Sequence, residues 1–425
     1  MDDISGWHAA AWPMPHHIEC DLRARRRPRH DARRNGYWGA MAASTEHDCV
    51  RILHVTEASG GGVLQVASQL ARHQSADGAL VTVAMTERID TPSDEDLRAG
   101  LGAGNLVRLN GGSTLNNVGA IFRYVRAELR HGVFDVIHLH SAFAGLAGRL
   151  ARMTVLRTSA TIVYSPHAFA FLRQDLAAPI RIMVRTIESL LTWASDGIIA
   201  VSGSEAVFAR KLRRGGKVVV LSNCLELERL PRNNPATSSK PQVVNLGRLV
   251  PQKGPERFLH AAKGLADQAN FVWIGGTTGN DAPLEIDSYV HVTGQLPHGS
   301  ATARLQSATV HLFTSKWEGM PLALMESQAM GIPAIAWDCE GVSDIVIDGK
   351  TGFVVRDETQ MMERLSSVLS DPDLRARLSR DASIMRERFS STDYGRRSLE
   401  AYGRLGNDRC RESIQVSGPE KGNLN

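Results

Sequence analysis

Residues 316–341 read KWEGMPLALMESQAMGIPAIAWDCEG, and the order of residue types along them is that of a helix feeding a buried strand. Pro321 suits a first helical turn, where its missing N–H costs nothing. The run that follows closes at Gly331 and Pro333, and the apolar PAIAW beyond it has the form of a short strand. Two carboxylates bracket the helix start, Glu318 just before it and Glu326 well inside it. Met320, Leu322 and Ala323 offer free backbone N–H groups at this end, where a helix carries partial positive charge and binds phosphate or another anion. Like charges repel, so neither glutamate is a phosphate ligand. Carboxylates beside a phosphate site are better suited to accepting hydrogen bonds from sugar hydroxyls. Taken alone, the pair reads better as a helix-dipole acid and a solvated face residue.

Outward from this stretch the alternation of strand and helix repeats. In VRILHVTEASGGGVLQVASQLARHQ, Val50–Val55 reads as a buried strand, Gly60–Gly62 as a tight turn and Val63–His73 as an amphipathic helix. LVTVAMT, FDVIHLHS, ATIVYSPHAFAF, SDGIIAVSGSEAVFARKL and KVVVLSNCLEL continue the first series. The proline-rich PRNNPATSSKP, residues 231–241, reads as an interdomain linker. VVNLGRLVPQKGPERFLHAAKGL, NFVWIGG, VHVTGQL and ATVHLFTS then lead back to the opening stretch. The expectation is α/β: two Rossmann-like domains with parallel sheets, 49–230 and 242–390, facing across a cleft at the strands' carboxyl ends. Residues 1–48, with RARRRPRHDARR, read as a disordered basic tail or as sequence upstream of a start at Met41, and residues 407–425 as a polar tail that frays.

Composition narrows the function classes. A chain of 425 residues, 43% apolar and 22% charged, is that of a globular protein with two domains. No apolar run reaches the roughly 18–20 residues of a membrane span, and no signal-peptide pattern opens the chain, so a cytoplasmic location is expected. Five scattered cysteines without a CxxC pair read as reduced thiols. A net charge of +4 does not indicate a nucleic-acid partner.

The chemistry gathers at a second place. GRLVPQKG sets Arg248 and Lys253 five residues apart in a loop that leaves a strand and enters a helix. A bidentate guanidinium and a point-charge ammonium at one strand exit can clamp a diphosphate; alone the two read better as solvated loop cations, and together with the downstream helix end the clamp becomes the better reading. With the E-x7-E of Glu318 and Glu326 some 70 residues later, the chain resembles the retaining family 4 glycosyltransferases of GT-B fold over roughly residues 50–405. Around KWEGMPLALMES it is similar to capsular and exopolysaccharide enzymes.

The resemblance implies roles. Arg248 and Lys253 would hold the donor diphosphate, Glu326 the ribose hydroxyls, and Glu318 the transferred sugar. The Gly319, Met320, Pro321 and Leu322 backbone would lie against sugar and phosphate. Gln295 and Leu296 would edge the nucleobase, Gly60, Gly61 and Gly62 approach the diphosphate and acceptor, and His167 of YSPHAFAF face the sugar. A last helix, 391–406, would cross back onto the first domain. Two departures stand out: Gln252 where a glutamate is common, expected to matter little, and Cys224 in place of a hinge glycine, which puts hinge geometry in question.

Other motifs weigh less. GGGVLQV is not a dinucleotide fingerprint. The Asp-x-Asp strings at Asp94/Asp96 and Asp371/Asp373 follow serines and read as helix starts rather than metal ligands. His138 and His140 are expected to face opposite sides of their strand, which would keep them from sharing a metal, with His140 near the cleft. The function implied is a metal-independent, hexosyltransferase-type enzyme moving a sugar from a UDP- or GDP-sugar to a glycan or lipid-linked acceptor in surface polysaccharide or glycolipid synthesis. No cofactor is implied, and basic segments would meet an anionic membrane surface from the cytoplasmic side. The alternatives are a sugar-nucleotide epimerase of the same fold and a non-catalytic nucleotide-sugar-binding subunit.

Overall fold

The computed structural model describes residues 49–416, apart from 59, 88–90, 110–111, 213–215, 232–239 and 278–287. The basic segment 1–48, most of the 231–241 linker and residues 417–425 lie outside the described residues.

Short apolar segments pair as parallel strands because helices cover both faces and no polar side is needed. The first sheet holds β1 (Arg51–Thr56), β2 (Leu80–Thr86), β3 (Asn105–Leu109), β4 (Val136–His140), β5 (Thr161–Ser165), β6 (Gly197–Ala200) and β7 (Val218–Val220). Its order is β3-β2-β1-β4-β5-β6-β7. The second holds β8 (Gln242–Leu246), β9 (Asn270–Ile274), β10 (Val290–Val292), β11 (Val310–Phe313), β12 (Ala334–Trp337) and β13 (Gly352–Val355), in the order β10-β9-β8-β11-β12-β13. One plan is used twice. Each series starts in the middle of its sheet, builds outward to one side, then crosses to the other. The reversals fall between β1 and β4 and between β8 and β11, the places where such sheets open a crevice for ligands.

The helix Tyr394–Leu405 follows the second series in sequence but lies on the helix Gly61–Ala76 of the first. Contact is so close that a Cβ on Gly395 would come within 2.5 Å of the His73 carbonyl oxygen. Beyond it, the expected fraying does not begin at Asn407. The chain continues as a helix, Asp408–Val416, started by the Asn407 side chain accepting from Cys410 N at 3.0 Å and anchored by the fully buried Cys410. Apolar contacts of Cys410 and Ile414, the Asn407 cap and a hydrogen bond from Arg411 Nε to the Gly403 carbonyl hold a segment whose composition reads as solvated.

Two local readings also change. Pro321 is the N-cap rather than a first-turn residue, and the helix runs Leu322–Met330. Cys224 needs none of glycine's freedom, because its backbone is not left-handed. Its side chain is buried and the thiol is pushed up to about 12 by that burial.

Candidate active site

The second half brings its candidate residues to adjacent strand exits. Arg248 follows β8, is exposed, and has no ion-pair partner among the described residues. Lys253 ends a short 3-10 turn, Pro251–Lys253, closed by Gly254 in the left-handed region (φ 62°). Any Cβ at Gly254 would meet the Thr314 carbonyl oxygen at 2.2 Å, so the β8 and β11 exits touch backbone to backbone here. Lys253 Nζ donates to Glu318 Oε1 at 2.6 Å, joining the expected phosphate cation to the expected sugar carboxylate. Beside them the helix Leu322–Met330 makes its first internal bond from Met325 N to the Pro321 carbonyl at 3.1 Å, which leaves the Leu322, Ala323 and Leu324 amides ahead of it. Gln252 donates its side-chain amide to the Trp317 carbonyl at 2.9 Å and accepts Lys316 N at its backbone oxygen. A carboxylate could not make that side-chain bond, so this departure from the family pattern has structural content.

Glu326 is buried and accepts from His298 Nε2 at 2.7 Å. This hydrogen bond is the main cause that raises the His298 pKa. His298 starts the helix His298–Leu305, which Pro297 caps after the exposed Gln295 and half-buried Leu296, and Gln65 of the first half approaches the same nitrogen at 3.4 Å. Sequence reasoning missed His298. Its signal was its place, at a helix start two residues past the loop assigned to the base.

The first half meets this surface at several points. A Cβ on Gly62 would lie 3.8 Å from Leu322 Cδ1, so the glycine turn faces the helix end. At another, a Cβ on Gly319 would come within 2.8 Å of the His167 carbonyl carbon, and only glycine lets the two backbones approach. His167 and Ala168 both have positive φ, 53° and 109°. That strained turn is held by Glu205, which accepts Ala168 N and Val201 N at 2.8 Å each. Burial pushes the Glu205 carboxyl up to about 7 against the opposing pull of those two amides. Across the cleft, Asp344 of the second half accepts Gly203 N at 2.8 Å and Ser204 N at 3.2 Å, and Asn223 Nδ2 donates to the Met320 carbonyl at 2.9 Å.

Behind His167 the expectation about His138 and His140 is overturned. Positions two apart on a strand return to the same face, and the two rings lie 3.9 Å apart between centroids. With His54 of β1 they form a buried row. His167 Nε2 meets His140 Nδ1 at 2.8 Å, His140 Nε2 meets His54 Nδ1 at 2.8 Å, and His54 Nε2 meets the Gln74 carbonyl oxygen at 2.8 Å. His138 bonds Tyr402 OH through Nδ1 and Ser165 Oγ through Nε2. His54, His138 and His140 could by spacing surround a metal, but all six of their ring nitrogens are already engaged by protein groups. Burial drives His54 and His167 down to about 4 and holds His138 and His140 well below the ordinary histidine range. The row is neutral at neutral pH.

Both Asp-x-Asp strings are at helix starts. Ser93 caps Asp94–Leu101 by accepting Asp96 N, and Asp371 caps Pro372–Ile384 by accepting Leu374 N.

Comparison with known proteins agrees with this geometry. The family model described as Glycosyltransferase Family 4 matches residues 60–229, and that described as Glycosyl transferases group 1 matches residues 228–385. A protein of the cps region of Klebsiella pneumoniae is 25% identical over 334 residues, covering 75% of this chain and 90% of its own. The Escherichia coli UDP-Gal:alpha-D-GlcNAc-diphosphoundecaprenol alpha-1,3-galactosyltransferase is 25% identical over 53% of this chain and 64% of its own length. Among solved structures, sucrose-phosphate synthase of Thermosynechococcus elongatus matches with TM-score 0.70 at 17% identity, over 84% of this chain and 99% of that one. HepE of Anabaena in complex with UDP-glucose matches with TM-score 0.65 at 14% identity, over 82% and 98%. Together the two family models span residues 60–385 with a one-domain match in each half, and the chain belongs to the family 4 glycosyltransferases of GT-B fold.

Proposed function

We propose that the protein transfers a sugar, with retention and without a metal, from a UDP- or GDP-sugar to a hydroxyl of a lipid-linked glycan. The observation that carries this reading is the meeting of Arg248, the Lys253–Glu318 pair and the Leu322 helix end at two adjacent strand exits, opposite the His167 backbone. As the bond from the anomeric carbon to the diphosphate oxygen breaks, its electron pair and a growing negative charge go to the diphosphate. Preorganised cations and amides at that place lower the barrier. They do there what a divalent cation does in other designs. The acceptor oxygen bonds the anomeric carbon from the face the diphosphate leaves, and its proton passes to a leaving phosphate oxygen. Glu326, with His298 beside it, would take the ribose hydroxyls.

A membrane-borne acceptor is supported by the helix Ala178–Leu191. It exposes Ile182, Met183 and Leu190, followed by Trp193 at 84% exposure, interleaved with Arg181 and Arg185. Apolar side chains among arginines suit an anionic lipid surface. No helix among the described residues is long and apolar enough to cross a membrane. Of the basic segments expected to serve here, the run RKLRRGGK, residues 210–217, exposes Arg210 and Lys211, and its residues 213–215 lie outside the described residues.

Thermal shifts with UDP, GDP, ADP and their sugars identify the nucleotide, since a ligand that binds the native state raises its stability. Turnover of the stabilising sugar nucleotide on a diphosphate-lipid glycan acceptor, in excess EDTA, then tests the reaction. No product, or product only on restoring Mn²⁺ or Mg²⁺, overturns the reading.

A further inference from the structure

The histidine row has a direction, and it is set far from the cleft. Ser398 Oγ donates to the Gly395 carbonyl at 2.6 Å, so towards Gln74 it can only accept. Gln74 therefore turns its NH₂ to Ser398 and to Tyr402 OH, at 2.9 and 3.1 Å, and its carbonyl oxygen to His54. Tyr402, having accepted, gives its own proton to His138 Nδ1. His138 then donates through Nε2 to Ser165, whose hydroxyl donates to the Ile199 carbonyl. No bond in this set is left with two protons or none.

The same logic runs the other way. The Gln74 oxygen requires the proton of His54 on Nε2. A neutral His54 then has a bare Nδ1, which requires the proton of His140 on Nε2. His140 in turn has a bare Nδ1, which requires the proton of His167 on Nε2. The ring of His167 is thus left with an unprotonated Nδ1, which has no protein partner among the described residues. We infer that Gln74, oriented by the helix Tyr394–Leu405, is a positioning residue that fixes the tautomer of His167 across three hydrogen bonds, so that His167 offers an acceptor to a hydroxyl of the bound sugar. The effect on turnover rests on the reading of His167 as a sugar contact; the tautomer does not. With the amide of Gln74 reversed, every ring in the row from His54 to His167 would invert, and His167 would present a donor instead.

The test is nitrogen NMR of the full-length protein carrying ¹⁵N in the histidine rings, with His167→Asn identifying the His167 signals. In the wild type at neutral pH, His167 is expected to show a protonated Nε2 and a bare, pyridine-type Nδ1. Gln74→Met keeps the volume but removes the acceptor, and should turn the His167 signals into a mixture of both tautomers. His54→Phe cuts the row beyond Gln74 and should do the same, which serves if the first variant does not fold. A protonated Nδ1 in the wild type, or a His167 spectrum unmoved in a folded Gln74 or His54 variant, overturns the proposal. In turnover, Gln74→Met should lower kcat about tenfold, the worth of one misdirected hydrogen bond, with nucleoside diphosphate affinity unchanged. If His167→Ala turns over like the wild type, the reading of His167 as a sugar contact falls while the tautomer result stands.

Discussion

The two halves share one strand order but build their sides of the cleft from opposite materials. The second half presents fixed charge at its surface: Arg248, Lys253 against Glu318, and Glu326 with His298. The first presents a backbone turn at His167, backed by neutral rings and one buried carboxyl that is raised towards neutrality. Charge can be placed by a few residues of one loop. A neutral hydrogen-bonded row must be satisfied at every link, and its partners come from strands and helices far apart in sequence. The division suits a donor that is anionic at one end and a neutral sugar at the other.

The largest effect should come from the charged side. Lys253→Ala removes the half-buried cation and strands Glu318, and turnover should fall by a factor of about 10²–10³, as for loss of a transition-state donor. A kcat within twofold of wild type would mean that the fixed charges are not at the leaving group, and the contrast between halves would lose its functional sense.

Acid should act on the neutral side. His54 folds with its pKa near 4 against an ordinary 6.5, so its contribution is complete above pH 6.5 and is lost as pH falls from there through about 4. That shift corresponds to on the order of 3 kcal/mol. His138, His140 and His167 are depressed in the same direction. Glu205 works against them: raised from 4.5 to about 7, it favours the fold at low pH and loses that contribution as pH rises through 7. The histidines outnumber it. Denaturant midpoints should therefore drop between pH 7 and pH 5, and an unchanged or higher midpoint at pH 5 would contradict a neutral buried row.

A smaller effect separates the two glutamates. Glu326→Ala should weaken nucleoside diphosphate binding by about 1.5–3 kcal/mol, the usual value for hydrogen bonds to a charged group. Glu318→Ala should keep that affinity and lose kcat. Calorimetry beside a turnover assay decides it. If both variants bind and turn over like the wild type, the pair only decorates a helix end.

The smallest effect concerns the outer surface of the first half. Arg185→Gln with Trp193→Ala should reduce co-sedimentation with anionic vesicles severalfold, at about 1 kcal/mol per basic residue near the lipid. Equal binding of wild type and variant, or binding that ignores lipid charge and salt, would remove this helix from the membrane.

What could be read from the sequence follows the same division. Arg248, Lys253, Glu318 and Glu326 lie in two short stretches whose strand-to-helix form is local, and the structure puts them at neighbouring exits. His298 escaped because a single exposed histidine carries no pattern. The row escaped for a deeper reason. Its links join residues 86, 27, 20, 324 and 328 positions apart, and no window of sequence shows a glutamine of one helix directing a ring on another strand. The misplaced facing of His138 and His140 was an error of period, since a two-residue step on a strand keeps the side. The helix at Asp408–Val416 was hidden by polar composition, and Gln252 looked neutral because the carbonyl it serves belongs to Trp317, 65 residues on.

The helix that orients Gln74 is also made long after the strands whose histidines it covers. Tyr402 is synthesised 328 residues after the glutamine it meets. At about 5–20 residues per second, the nascent first sheet waits on the order of tens of seconds with its histidine row uncapped. Those rings sit in an interior that closes only once residues 394–405 have been made. The two halves therefore cannot mature strictly in the order of their synthesis, and a ribosome that stops before residue 394 releases an intact second series beside a first one that has lost its cover. Shortening the protein from its C-terminus should first damage the half that lies nearest its N-terminus.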